Sequence, residues 1–139
     1  MPELNSANKN KYDQIMTDKV IDAAEVTALE TFLYNDGEID QNEIMLLCRL
    51  DEDATEKHSS FHQLCEKAFH SFALEDQTSP GEIDQHEARF LIEQFDSDGI
   101  VSDMERNLTT MLITKAKSVH QSFLDWASSK NIQAVPASA

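Results

Sequence analysis

The chain has 139 residues, 40% of them hydrophobic, with 26 acidic against 11 basic residues and a formal charge of −15. That length suits one domain with a true core. The charge repels phosphate backbones and anionic lipid surfaces, which argues against nucleic acid as a partner and for cations or a basic protein surface.

The opening stretch "MPELNSANKNKYDQ" has no apolar run between a basic flank and a cleavage site, and no later run reaches membrane-spanning length, so a cytoplasmic protein without membrane insertion is expected. From there the apolar periodicity predicts helices over 8–16, 22–34, 40–50, 59–73, 84–95 and 102–129, an all-α compact bundle of about six helices. Within 59–73, Phe61, Leu64, Cys65, Ala68, Phe69 and Phe72 recur at three- and four-residue steps, an amphipathic helix suited to pack between neighbours. Cys48 and Cys65 fall on apolar faces and read as small hydrophobes. The last helix is the longest, its face running through Leu108, Met111, Leu112, Val119, Phe123 and Trp126, and the tail "NIQAVPASA" is expected to fray.

Four related phrases punctuate these helices: "DKVIDAAE" (18–25), "DGEIDQNE" (36–43), "PGEIDQHE" (80–87) and "DGIVSDME" (98–105). Within each pair the starts lie 18 residues apart, and the pairs are offset by 62. The same offset superposes Leu29 on Leu91, Leu33 on Phe95 and Leu50 on Leu112. A single domain, 1–139, with an internal pseudo-twofold duplication follows: one repeat half at 14–50, a linking helix at 59–73, a second half at 76–112 continuing into the long C-terminal helix, and a tail at 131–139.

Two readings compete for the phrase. As helix grammar, Asp22, Asp40, Asp84 and Ser102 each stand three residues before a Glu and fit the capping box. Gly37 and Gly99 then sit where a helix stops on a left-handed residue, and Ile21 with Val26 and Ile39 with Ile44 form hydrophobic staples. Asp18, Asp36 and Asp98 have no task on this view.

As metal chemistry, the phrase matches the second half of a calcium-binding EF-hand loop, with its turn glycine and closing Glu. The best loop, "QFDSDGIVSDME", offers Gln94, Asp96, Asp98, the carbonyl of Ile100, Ser102 and Glu105, although Gln at the first position lowers the charge. Next comes "DQTSPGEIDQHE", with Asp76, Thr78, the carbonyl of Glu82, Asp84 and Glu87, where Pro80 replaces a ligand. A third candidate has only Asp36, Asp40 and Glu43, because Phe32 and Tyr34 continue a helix. In the first phrase Lys19 replaces the glycine, and its ammonium opposes a cation. Twelve-residue loops starting 18 apart must share a helix, so ordinary EF-hand pairs are not encoded. Calcium is the expected ion, with magnesium the alternative.

Short helices joined by "DGxID/SxxE" turns, two per half, resemble the TerB-like family associated with bacterial tellurite resistance and stress, over roughly residues 15 to 115. The resemblance implies an all-helical pseudo-twofold domain whose acidic turns bind divalent cations, through Asp36, Asp40 and Glu43 in one half and Asp98 and Glu105 in the other. Lys19, Pro80 and Ser102 depart from the family's pattern.

Other chemistry has less to offer. His58 and His62 stand four apart with Cys65 and Glu66 nearby, the outline of a zinc pair without a second cluster of soft ligands. No Glu-x-x-His pairs for a di-iron centre, no phosphate-binding glycine loop and no nucleophile elbow occur. The expectation is a non-catalytic calcium-binding protein. The alternative is a metal-independent acidic module that docks on, or inhibits, a basic protein partner.

Overall fold

Helices begin where the capping phrases stand. The computed structural model describes residues 4–35, 39–74, 81–96, 101–132 and 134. Among these it has seven helices: α1 Ser6–Ile15, α2 Ala23–Leu33, α3 Gln41–Asp53, α4 Ser59–Leu74, α5 Gln85–Phe95, α6 Asp103–Lys115 and α7 Gln121–Ser129. The protein is all-α, and four two-residue pieces are its only strands among the described residues: β1 Val20–Ile21, β2 Glu56–Lys57, β3 Glu82–Ile83 and β4 Ser118–Val119. Among the described residues no helix is long and apolar enough to cross a membrane.

The chain forms two compact units, Met1–Ala68 and Phe69–Ala139. In the first, α1 packs on α3. β1 pairs with β2 in parallel, Val20 opposite Glu56 and Ile21 opposite Lys57. The ladder is extended by Thr55 N–H donating to the Lys19 carbonyl and His58 N–H to that of Ile21, both at 2.8 Å. Each strand leads directly into a helix, β1 into α2 and β2 into α4. Ile21, Leu29, Leu33, Ile44, Leu46, Leu47, Leu50 and Phe61 make a core with almost no exposed surface.

The second unit repeats this plan with the offset of 62. β3 pairs in parallel with β4, Glu82 opposite Ser118 and Ile83 opposite Val119. Lys117 N–H donates to the Gly81 carbonyl at 2.6 Å and His120 N–H to that of Ile83 at 2.8 Å. α5 packs closely on α7. Ile83, Leu91, Phe95, Leu108, Leu112, Ile113 and Phe123 fill the core, where Phe69 stacks on Phe95 with ring centres 5.5 Å apart.

α4 belongs to both plans. Under the offset, its residues 59–67 correspond to α7 and its residues 68–74 to 6–12 of α1. It is therefore the last helix of one repeat and the first of the next, in one run.

The helix expected over 102–129 is two helices. Ala116 turns extended at ψ 145°, and the following residues are taken up by the strand pair. Ala54, 62 residues earlier, makes the same turn at ψ 136° before α4. The chain turns back at the end of α7. Asn131 adopts φ +62°, and the N–H groups of Asn131 and Ile132 donate back to the carbonyls of Ser128 and Ala127 at 3.0 and 2.9 Å. This is a Schellman ending with Asn in the left-handed place, and it buries Ile132 to 6% exposure.

One backbone position shows what the duplication tolerates. Gly81 has φ +77°, and Lys19, its counterpart, is forced to φ +58°. A left-handed L-residue costs about 1–2 kcal/mol. The strain is held by the ladder bond from Thr55, by Thr55 Oγ1 donating to the Lys19 carbonyl at 3.1 Å, and by Val20 N–H donating to Asp18 at 3.1 Å. Asp18, left without a task by the capping grammar, thus closes a local turn.

Candidate cation-binding turns

All four phrases form capping boxes, and their geometry recurs closely. The Glu25, Glu43 and Glu87 N–H groups donate to Asp22, Asp40 and Asp84 Oδ1, each at 2.8 Å. Glu105 N–H donates to Ser102 Oγ at 3.1 Å. In return the cap N–H groups donate to the Glu Oε1 atoms at 3.2 Å for Asp22, 3.0 Å for Asp40, 3.3 Å for Asp84 and 2.8 Å for Ser102. One oxygen of every acid in the boxes thus completes a helix start, which satisfies donors that would otherwise be orphaned.

The glutamates differ in depth. Glu105 is 2% exposed, Glu87 6% and Glu43 7%, whereas Glu25 is only half-buried. The order follows the quality of the loops, since the least buried closes the phrase with Lys19 in the glycine place. Charge of this kind is costly to bury without compensation. The N-terminal end of each helix supplies part of it.

The remaining proposed ligands have varied surroundings. Glu82 lies in β3 opposite Ser118 with its side chain exposed. Gln94 sits in the last turn of α5, half-buried. Asp96 ends that helix, its N–H donating to the Ile92 carbonyl at 2.9 Å. Its carboxylate is engaged on both oxygens: Trp126 Nε1–H donates to Oδ2 at 3.1 Å, and Lys130 Nζ lies 3.2 Å from Oδ1. The Trp126 hydrogen bond first, and then Lys130, hold the Asp96 carboxyl below the usual carboxylate range against an opposing push from burial. Asp36, Asp76, Thr78, Asp98 and Ile100 lie outside the described residues. Among the described residues no three His, Cys, Asp or Glu side chains come together as a metal cluster.

The zinc outline resolves into other roles. His58 stands ahead of α4, its Nδ1 accepting the Ser60 N–H at 3.2 Å and lying 2.8 Å from Ser60 Oγ. His120 repeats this on Ser122 ahead of α7 at the same two distances. The histidines are helix caps, and a recurrent His-x-Ser at the offset of 62 is the sequence signal for them. Cys65 is wholly buried, and burial raises its thiol pKa well above the usual value, while His62 faces solvent. The four therefore do not converge.

Sequence reasoning also missed the polar links inside the first unit. Lys57 Nζ lies 2.6 Å from Asp51 Oδ1, with the Asp51 side chain 3% exposed, and donates to the Asp51 carbonyl at 2.9 Å. Tyr12 donates its hydroxyl to Asp53, which with burial pushes the phenol up to about 12. Lys67 pairs with Glu30 at 2.8 Å and sits 4.8 Å from the centre of the Tyr34 ring. No family model matches the chain, and neither a curated protein nor a solved structure matches it.

Proposed function

We propose that the chain is a non-catalytic, calcium-binding helical protein of the cytoplasm, whose acidic turns take up a divalent cation at the starts of α6 and α5. The observation that carries this is the depth of Glu105 and Glu87, at 2% and 6% exposure, at the twelfth position of the two loops that best match a calcium site. A carboxylate in that place holds the helix start and would also ligate an ion, so binding would tie turn and helix together. Asp96, Ser102 and Asp84 flank the same turns, and mixed carboxylate, hydroxyl and carbonyl oxygens suit calcium better than magnesium. The resemblance to the TerB-like family gives this proposal its setting, a stress-response or tellurite-resistance assembly.

The test is thermal unfolding at matched ionic strength. Calcium at about a hundred times its dissociation constant should add about 2.7 kcal/mol of stability and raise the melting temperature by several degrees. Coincident curves in calcium and in chelator would remove the proposal.

A second reading draws on a different observation: the acids of the capping boxes already serve helix starts, and Asp13, Asp18, Asp22, Glu52, Asp53, Glu56 and Glu66 of the first unit stand exposed. On that reading the acidic surface docks on a basic protein without metal, and its affinity falls steeply with salt.

A further inference from the structure

In the first unit α1 and α3 run in the same direction. Near their starts the Asn5 N–H and the Asn8 Nδ2–H both donate to Asn42 Oδ1 at 2.8 Å, and near their ends the Tyr12 hydroxyl donates to Asp53. Along this seam lies a cleft of about 250 Å³, lined by Leu4, Lys9, Tyr12, Asp13, Arg49 and Asp53. Each helix sets a basic residue four places ahead of an acidic one, Lys9 before Asp13 and Arg49 before Asp53. Four residues advance a helix by about 6 Å. Because the helices are parallel, the two cations stand towards one end of the cleft and the two carboxylates towards the other.

In a chain of 11 basic against 26 acidic residues, two basic side chains share this one cleft. The offset of 62 puts Ser71, Leu74, Met111 and Lys115 at the places of Lys9, Tyr12, Arg49 and Asp53, so the same plan is built elsewhere in the chain without this set. A ligand of a single sign would be attracted at one end of the cleft and repelled at the other, whereas a dipolar one is attracted at both.

We propose that this cleft binds a small zwitterion of the short ω-amino acid class, its carboxylate held by Lys9 and Arg49, its ammonium by Asp13 and Asp53, and its methylenes lying against Tyr12 and Leu4. The Arg49 guanidinium offers a planar fork that matches a carboxylate. The offset of about one helical turn between the charged ends suits an extended ligand better than an α-amino acid, whose charges sit on neighbouring atoms. None of the proposed calcium ligands lines the cleft, so this inference goes beyond the calcium reading and does not depend on it.

The experiment titrates the full chain, in chelator and at low salt, with 4-aminobutanoate. It follows heat together with the ring signals of tyrosine-labelled protein by nuclear magnetic resonance. The chain has two tyrosines: Tyr12 reports the cleft, and Tyr34 is the control. The expected result is saturable heat with shifts at Tyr12 alone, and binding weaker by about tenfold for butanoate, butylamine and 2-aminobutanoate, each of which lacks one charge or the separation. Lys9→Ser with Arg49→Met, which installs the residues of the second unit, should weaken 4-aminobutanoate by about tenfold while circular dichroism stays native. Lys9→Gln alone, at an exposed position, should weaken it by about threefold and keeps the test open if the double variant unfolds. No saturable heat, shifts confined to Tyr34, or undiminished affinity in the folded variants would overturn the site. Equal binding of 2-aminobutanoate would overturn the ω-amino class.

Discussion

The two units build one plan from different chemistry. In the first, Asp51 and Lys57 form a largely buried ion pair, and the offset of 62 puts Ile113 and Val119 in their places, with Ile113 wholly buried. In the first, Tyr12 is tied to Asp53, while the second has Leu74 and Lys115 there. Each unit also clasps its helices with an acid, an aromatic and a lysine. Glu30 and Tyr34 meet Lys67 in one, and Asp96 meets Trp126 and Lys130 in the other. The plan needs volume and a contact at these points but does not dictate polarity. Where one unit is charged and its twin apolar, the charge is not required by the fold.

The largest effect should come from breaking the buried pair. Asp51→Ala would leave the Lys57 ammonium without its carboxylate and cost about 3 kcal/mol in urea unfolding. The double change Asp51→Ile with Lys57→Val, which installs the residues of the second unit, should fall within about 1 kcal/mol of the native protein. A double variant as unstable as the single one would refute the equivalence of the two units.

Alkaline pH tests a smaller difference. The Tyr12 phenol is raised from 10 to about 12, so the folded state favours the protonated ring. Its contribution is fully present below pH 10 and fades as pH rises towards 12, by about 1 kcal/mol once solvent screening is allowed for. Relative to Tyr12→Phe, the native protein should lose that margin across this window. Parallel stability curves for the two would deny the Asp53 bond any role.

The smallest effect concerns the left-handed pair. Lys19→Gly should stabilise by about 0.5 kcal/mol, the relief of strain exceeding the added freedom of the unfolded chain, and Gly81→Lys should destabilise by about 1 kcal/mol. Gly81 has a further obstacle, since a Cβ there would lie 3.0 Å from the flexible Lys117 side chain. Differential denaturant midpoints would show both signs.

Much of this was legible in the chain. The capping grammar of Asp22, Asp40, Asp84 and Ser102 placed four helix starts, because the box is a local hydrogen-bond pattern with its own spelling. Apolar spacing found the core faces, and of the two aromatics expected to continue a helix, Phe32 lies in α2 and Tyr34 is its C-cap. The break at Ala116 was missed because Val119 and Phe123 continue an apolar rhythm, and only pairing with residues 36 positions earlier, Glu82 and Ile83, decides for a strand. Extending the repeat from the acidic phrases to "ATEKHS" and "AKSVHQ" would have revealed it. Asp96 was read as a ligand on spacing alone. Its engagement by Trp126 and Lys130 depends on α7 folding back, which no local pattern records.

The central question is whether the buried glutamates close an ion site. Calorimetric titration of the chelator-stripped protein with calcium tests this most directly, beside a variant carrying Glu87→Gln and Glu105→Gln. Saturable heat, with a dissociation constant between about a micromolar and a millimolar, abolished in the double variant while its helical signal persists, is the predicted result. A flat trace from the native protein up to about 10 mM calcium, well above the range of such sites, would contradict it and leave the four phrases as helix starts alone.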